Sequence, residues 1–487
     1  MYNITSSKST TSTSIVRFVS IVAFIIASYI IFNPIRTEGG ELLFSLPLSL
    51  SVCTFLYPKL WEYQRGGWGL KVYYTVIIVR YLLVPFLTCI QGHFSIGGIS
   101  AYALFAYSKP ESYFYALVAM NIELIVALSV INKYYNETYL KIKRKLLSEK
   151  RSNHAISLVG MLMVLFFVIL IISRGGVGAY IRMGIVSEEL NYDAQVGNHG
   201  IDVEIIKPLM GFLVITISAY FSKLYAKKKK ILYFILPMLM AMFSCILIVG
   251  NNRMQMVYLS LCALSVLVLA FPDYKSIIKG TILPTLAVIL IAFTMFKQFG
   301  VDVKSKSASS VESSDALIGL TEYVCGPENI AHTCDNWLKN GHKVNSLTPI
   351  SDFIKYNHLC RLPGFSSFKT FVEKEPTTID LAVSTFEMIS IAGMCLYYGH
   401  SMIGGWLLLV LFTFIVVRFL LYFDIKSQLS TSLGSVYIYN WCAILFGVSM
   451  CYTLVTLWDN ITYVPVFIWV LLKINNFRFK KSYEGKY

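Results

Sequence analysis

Apolar positions in this chain come in long unbroken runs, not at every second position or at every third to fourth. Runs such as ILYFILPMLMAMFSCILIV and VYLSLCALSVLVLAF carry no polar face at the period of a strand or of a surface helix. A helix needs about 20 mostly apolar residues to cross the hydrocarbon core, and in lipid its backbone must close its hydrogen bonds internally, so each run reads as a spanning helix. The pattern predicts spans at 15–33, 40–58, 72–90, 110–131, 155–173, 205–222, 231–249, 256–271, 280–297, 404–421, 434–456 and 459–473. The expected fold class is an all-α polytopic membrane protein with about twelve transmembrane helices. The first run follows a Ser/Thr-rich start without a small-x-small cleavage pattern after it, which reads as a retained anchor.

Composition strengthens this reading: of 487 residues, 56% are hydrophobic and 14% charged, with a mean hydropathy of +0.62. Charge then orients the spans. Lys133, Lys141, Lys143, Arg144, Lys145, Lys150 and Arg151 crowd residues 132–154; Lys223 and Lys227 to Lys230 crowd the next basic loop; Arg478, Lys480, Lys481 and Lys486 fill the tail. Positively charged short loops stay in the cytoplasm, so these segments, Lys426 and both termini are expected inside. The net charge of +15 is thus mostly a topology signal, and no folded basic surface or arm for nucleic acid is visible. Two stretches resist the count. Residues 383–400 are apolar, but a thirteenth span there would put the basic tail outside, so a re-entrant or interfacial helix is expected; 92–107 is short, Gly-rich and ambiguous.

This orientation leaves two sizeable outer segments, 174–204 and 298–382, the second of ordinary soluble composition. The expected organisation is a membrane domain at 1–297 with the first nine spans, a large outer loop with its re-entrant segment at 298–403, and a membrane domain at 404–487. No internal repeat is evident, which weakens a transporter reading.

Candidate chemistry starts from GNNRMQM, residues 250–256, which is an outward turn in this topology and carries Arg253. Arg174 and Arg182 open the preceding outer segment in ISRGGVGAYIRMG, and Arg80 lies inside VYYTVIIVRYLLVPF. Each arginine alone is equally explained by snorkelling to the headgroups. Together, on the side the positive-inside rule disfavours, they suit a phosphate or pyrophosphate ligand, whose oxygens match the guanidinium fork. A GxSxG elbow, a P-loop and HExxH or CxxC spacing are missing from the outer segments, so hydrolase, nucleotide-driven pump and zinc-enzyme readings lack their signatures and no metal is expected. Cys325, Cys334 and Cys360 lie in the large loop, and the stretch CGPENIAHTC predicts a small disulfide-closed loop between Cys325 and Cys334.

The dozen apolar spans, the outer arginine segment, Gly250-Asn251-Asn252-Arg253 in an outer turn, the late outer loop and the Ser-Thr-Phe-Glu…Tyr-Tyr-Gly lead into the next span together resemble the O-antigen polymerase (Wzy) group. The resemblance covers most of the chain as layout. It implies a GT-C-like membrane-embedded glycosyltransferase in the bacterial inner membrane. Such an enzyme moves a growing glycan from one undecaprenyl pyrophosphate onto the next lipid-linked repeat unit at the periplasmic face, without a metal or other cofactor. The implied partners are the undecaprenyl-pyrophosphate-linked oligosaccharides, the lipid bilayer and a chain-length regulator. Fixed cations aimed at the leaving pyrophosphate stabilise the transition state, a role that suits Arg253, Arg174, Arg182 and Arg80. The attacking hydroxyl needs a base, for which Glu322, Glu328, His332 and Glu387 are the candidates, with His342 and His358 in the same loop. Two alternatives stay open: an O-antigen ligase, which shares the donor, and a non-enzymatic flippase, for which only Arg80 and Glu123 are deeply placed.

Overall fold

The computed structural model describes residues 9–35, 38–57, 66–92, 94, 108–146, 156–173, 201–246, 254–282, 324–357, 360, 372, 374–378, 381 and 389–476. In chain order the helices are α1 (Ser9–Phe32), α2 (Ser45–Leu56), α3 (Trp68–Gln91), α4 (Pro110–Leu146), α5 (Leu158–Ser173), α6 (Ile201–Lys228), α7 (Leu232–Ile246) and α8 (Met254–Ala270). They continue with α9 (Pro327–Asn340), α10 (Thr348–Tyr356), α11 (Ile391–Gly399), α12 (Met402–Leu429), α13 (Leu433–Gly447) and α14 (Leu454–Asn475). Among the described residues there is no strand. Five helices are long and apolar enough to cross a membrane: α3, α4, α6 from Pro208, α12 and α14. A sixth span arises if α8 is joined to Pro272–Gly280 across a 118° bend.

The chain divides into two compact units: Met1–Lys145 with Ser310–Gln428 and Cys442–Tyr463, and Leu146–Ser309 with Leu429–Trp441 and Val464–Tyr487. In the first, α3 begins against a buried carboxylate: Asp424 of α12 accepts from Gly67 N at 2.8 Å and Leu70 N at 3.2 Å. An acid at a helix start satisfies orphan N–H groups and meets the positive end of the helix dipole. The approach requires a glycine, because a Cβ at Gly67 would stand 2.6 Å from Asp424 Oδ1. Helices α4 and α12 run in the same direction, with Tyr115 stacked on Trp406 near their starts and Tyr134 against Phe414 farther along.

Helix α4 is longer than its apolar run. The expected span ends at 131, but the helix continues to Leu146 through the basic segment expected as a loop. The continuation mixes Lys, Glu, Leu and Arg with weaker helix formers, pairs Glu137 with Lys141 at i, i+4, and ends on Lys143, Arg144 and Lys145, which complement the dipole. The last two expected spans also shift: the chain breaks between Gly447 and Leu454, with a 3₁₀ turn at Ser449–Cys451, and α14 starts earlier than its predicted run.

The segment expected as an outer cap contributes α9 and α10 to the first unit, where α9 packs on α11. Pro327 opens α9, Glu328 lies in its first turn and Lys339 in its last, in accord with the dipole. Ser390 caps α11 by accepting from Gly393 N, and His400 ends it in the left-handed region at φ 53°. The two helices approach so closely at Gly393 that a Cβ there would meet Thr333 Cγ2 at 2.8 Å. Met394, Tyr397, Ile389, Val344 and Val455 form the apolar core beside them. The expected helix at 383–400 is thus present as the buried α11 over its described part.

In the second unit α6, α7 and α8 pack together. Phe234 stacks on Tyr274 at 4.2 Å, and Lys229 pairs with Asp273 at 2.9 Å on the surface. Asn475 at the end of α14 accepts from Ser157 N at 2.9 Å, just before α5. Beyond residue 282 the expected ninth span lies outside the described residues, as does most of 92–107.

Candidate functional site

A π-helical turn at Val79–Leu83 interrupts α3 at mid-length. The extra residue in such a turn lets two neighbours face inward together, and these turns concentrate at functional sites. Here the neighbours are Arg80 and Tyr81, both wholly buried. Arg80 Nη1 donates to Glu123 Oε2 of α4 at 2.7 Å, and the side chains of the pair are 0% and 2% exposed. Tyr81 Oη donates to Met120 O at 2.8 Å, and the guanidinium lies 5.7 Å from the Tyr81 ring centre. A buried pair gains little over an apolar one but is costly to break, since the survivor keeps an uncompensated charge.

Arg80 also reaches outside its helix pair. Its Nε donates to Cys325 O at 3.0 Å, at a residue whose φ of 51° turns the chain just ahead of α9. The other part of α9 is moored to the start of α4, where Asp335 accepts from Ser112 Oγ at 2.6 Å and from Lys109 N at 3.3 Å. On α4, Ser112 and Glu123 are separated by roughly 16 Å of helix axis, close to the roughly 15 Å from Cys325 to Asp335 along α9. Helix α9 therefore lies alongside α4 with its N-terminal end at the depth of the ion pair. Helix α11 lies in the same interior: Tyr115 Oη of α4 donates to Ala392 O at 3.1 Å, and every residue from Ile391 to Tyr397 is buried.

This arrangement carries Glu328 into the protein on the first turn of α9, 4% exposed, with Asn329 at 5% beside it. His332 follows one turn later; burial pulls its pKa below the ordinary value, Asp335 opposes that shift, and Lys339 adds to it. Asp352 of α10 is fully buried, accepting from Tyr398 Oη at 2.6 Å and Thr378 N at 2.7 Å. Among the described residues no group of three or more His, Cys, Asp or Glu is placed to hold a metal ion.

Of the residues singled out from sequence, Arg80, Glu328 and His332 are described; Arg174, Arg182, Arg253, Glu322 and Glu387 lie outside the described residues. Arg80, expected inside an apolar run, is buried in the first unit and engaged by Glu123 and Cys325. The expected disulfide is corrected: Cys325 and Cys334 are both buried thiols and are not joined to each other. Their backbones present them to different neighbours, Cys325 to Ser390 and Cys334 to Ser112, and burial pushes the Cys334 thiol up to about 11. Glu123, a lone acid inside the apolar run AMNIELIV, was legible as a deeply placed charge under the flippase reading but not as the partner of Arg80. Comparison with protein-family models, with curated proteins and with solved structures gave no match to this chain.

Proposed function

We propose that this protein is a membrane-embedded glycosyltransferase that polymerises undecaprenyl-pyrophosphate-linked repeat units into O-antigen or a related surface polysaccharide. In this reading about twelve spans in a GT-C-like arrangement sit in the bacterial inner membrane, with both termini cytoplasmic and the segment 298–382 entering from the periplasmic side. A hydroxyl of the incoming lipid-linked unit attacks the anomeric carbon of the growing glycan. The bond from that carbon to the pyrophosphate oxygen breaks, the electron pair leaves with undecaprenyl pyrophosphate, and the hydroxyl proton passes to a protein base. Glu328 is assigned as that base and His332 as its neighbour on α9; Arg174, Arg182 and Arg253 are assigned to the leaving pyrophosphate. Arg80 is assigned to holding α9 in place.

One observation carries the reading: a helix from the long segment between spans, bearing a buried carboxylate, is drawn alongside α4 to the depth of an intramembrane ion pair. That combination supports chemistry on a lipid-linked substrate at the membrane better than it supports a soluble cap. A second reading, a flippase for the same lipid, draws on the half-length helices α9, buried over its first turns, and α11, since interrupted helices beside a central charge also occur in transporters. Glycan length in a strain lacking the gene separates the readings. Restoring an active polymerase gives a ladder of repeats, and its loss leaves core carrying one unit; loss of a flippase or a ligase leaves core with none.

A further inference from the structure

Arg418 raises a question that the proposed reaction leaves untouched. It lies in α12, about 24 Å along the helix from Met402, near the far edge of a hydrocarbon core about 30 Å thick. Met402 and Pro110 line one cavity, so α4 and α12 start at the same end and their depths can be compared. The guanidinium lies 4.1 Å from the ring centre of Tyr134 on α4, and Lys133 Nζ is 5.2 Å from the same ring. Arg418 is half-buried, and its Nη1 is buried without a hydrogen-bond partner among the described residues. A guanidinium at membrane depth with a buried donor that meets no acceptor among the described residues calls for an anionic one.

The surroundings indicate which. On α12, Arg418, Tyr422 and Lys426 follow at i, i+4 and i+8, with Lys426 Nζ donating to Tyr422 Oη at 3.1 Å. On α4, Lys133, Tyr134, Glu137 and Lys141 form the facing stripe, where Glu137 is within electrostatic reach of Arg418 but is hydrogen-bonded to Lys141 at 2.6 Å. Apolar side chains flank the stripes: Ile415 is 36%, Phe419 47% and Leu140 52% exposed. Cations and tyrosines in sequence with exposed aliphatics match the boundary between acyl chains and headgroups.

We propose that Arg418, Lys133 and the Tyr134 ring form a binding site for the phosphate of an anionic phospholipid in the leaflet at the basic ends of α4 and α12. The full-length purified protein is loaded with phosphatidylglycerol or phosphatidylcholine and the retained lipid counted by native mass spectrometry. The wild type is expected to retain phosphatidylglycerol preferentially. Arg418→Gln and, separately, the exposed Lys133→Gln are each expected to reduce that preference about fivefold, and Arg418→Lys to restore part of it. Millimolar inorganic phosphate is expected to leave the lipid bound. If Arg418→Gln and Lys133→Gln both leave the preference unchanged, or if inorganic phosphate displaces the lipid, the assignment is overturned.

Discussion

Arg80 and Glu123, contributed by the middles of two helices, meet in a 2.7 Å charge-assisted hydrogen bond that is almost completely shielded from solvent. The same guanidinium holds Cys325 O, so one side chain joins α3, α4 and the entry to α9. Breaking one partner should cost about 3–5 kcal/mol, because the other is left charged in the interior. Arg80→Leu or Glu123→Leu is expected to lower the melting temperature of the detergent-solubilised protein strongly. The double variant should melt above either single one, and additive losses would show that the pair is not coupled.

The native thiol of Cys325 reports on the same joint. It is fully buried, and with Arg80 in place maleimide should label it slowly. In Arg80→Gln the turn ahead of α9 loses its anchor and labelling at Cys325, mapped by mass, is expected to rise at least tenfold over wild type, on the order of the 1–3 kcal/mol left by an unmade buried hydrogen bond. In the unmodified protein, non-reducing mass mapping should find Cys325 and Cys334 both as thiols, in keeping with their separate surroundings.

His332 supplies a pH dependence with a definite sign. Its folded pKa lies below the unfolded value because burial disfavours the imidazolium. The unfolded chain then binds the proton more readily, so the stabilising contribution is complete above the unfolded value of about 6.5 and is lost as the pH falls from there toward the folded value. Melting temperature measured from pH 7.5 to 5 should decline, and His332→Asn should flatten the part of that decline nearest pH 6.

Gly393 tests the contact of α9 with α11. A valine there must displace Thr333, with overpacking on the order of 1–3 kcal/mol. The expected result is a lowered melting temperature for Gly393→Val and partial recovery when Thr333→Ala is added; no shift in the single variant would mean that the two helices do not approach as described.

Apolar run length made most helices legible, because a spanning helix advertises itself by composition alone. The depth of Arg80 and Glu123 was legible from their places inside apolar runs, but their pairing was not. Arg80 and Glu123 are 43 positions apart, and neither the π-turn that swings Arg80 inward nor the carbonyl it holds leaves a periodic trace. The helical continuation of α4 past residue 131 was hidden because polar helix formers resemble a charged loop when only hydropathy is read. Glu328 was visible as a candidate, whereas its burial follows from the entry to α9 being tied to α3 at Cys325 and α9 itself to α4 at Asp335. Arg418 was missed since its partner ring, Tyr134, lies on a helix distant in sequence.

Glycosyl transfer between lipid-linked units, with Glu328 as base, is the reaction we propose for this protein. Purified protein in proteoliposomes, given a synthetic undecaprenyl-pyrophosphate-linked repeat unit, tests it without other cellular components. The expected result is a series of products lengthened by whole repeats with release of undecaprenyl pyrophosphate, slowed on the order of 10²–10⁴-fold in Glu328→Gln while Cys325 stays protected. Unchanged substrate with wild-type protein whose Cys325 is equally protected, above all if the lipid crosses the bilayer instead, would contradict it.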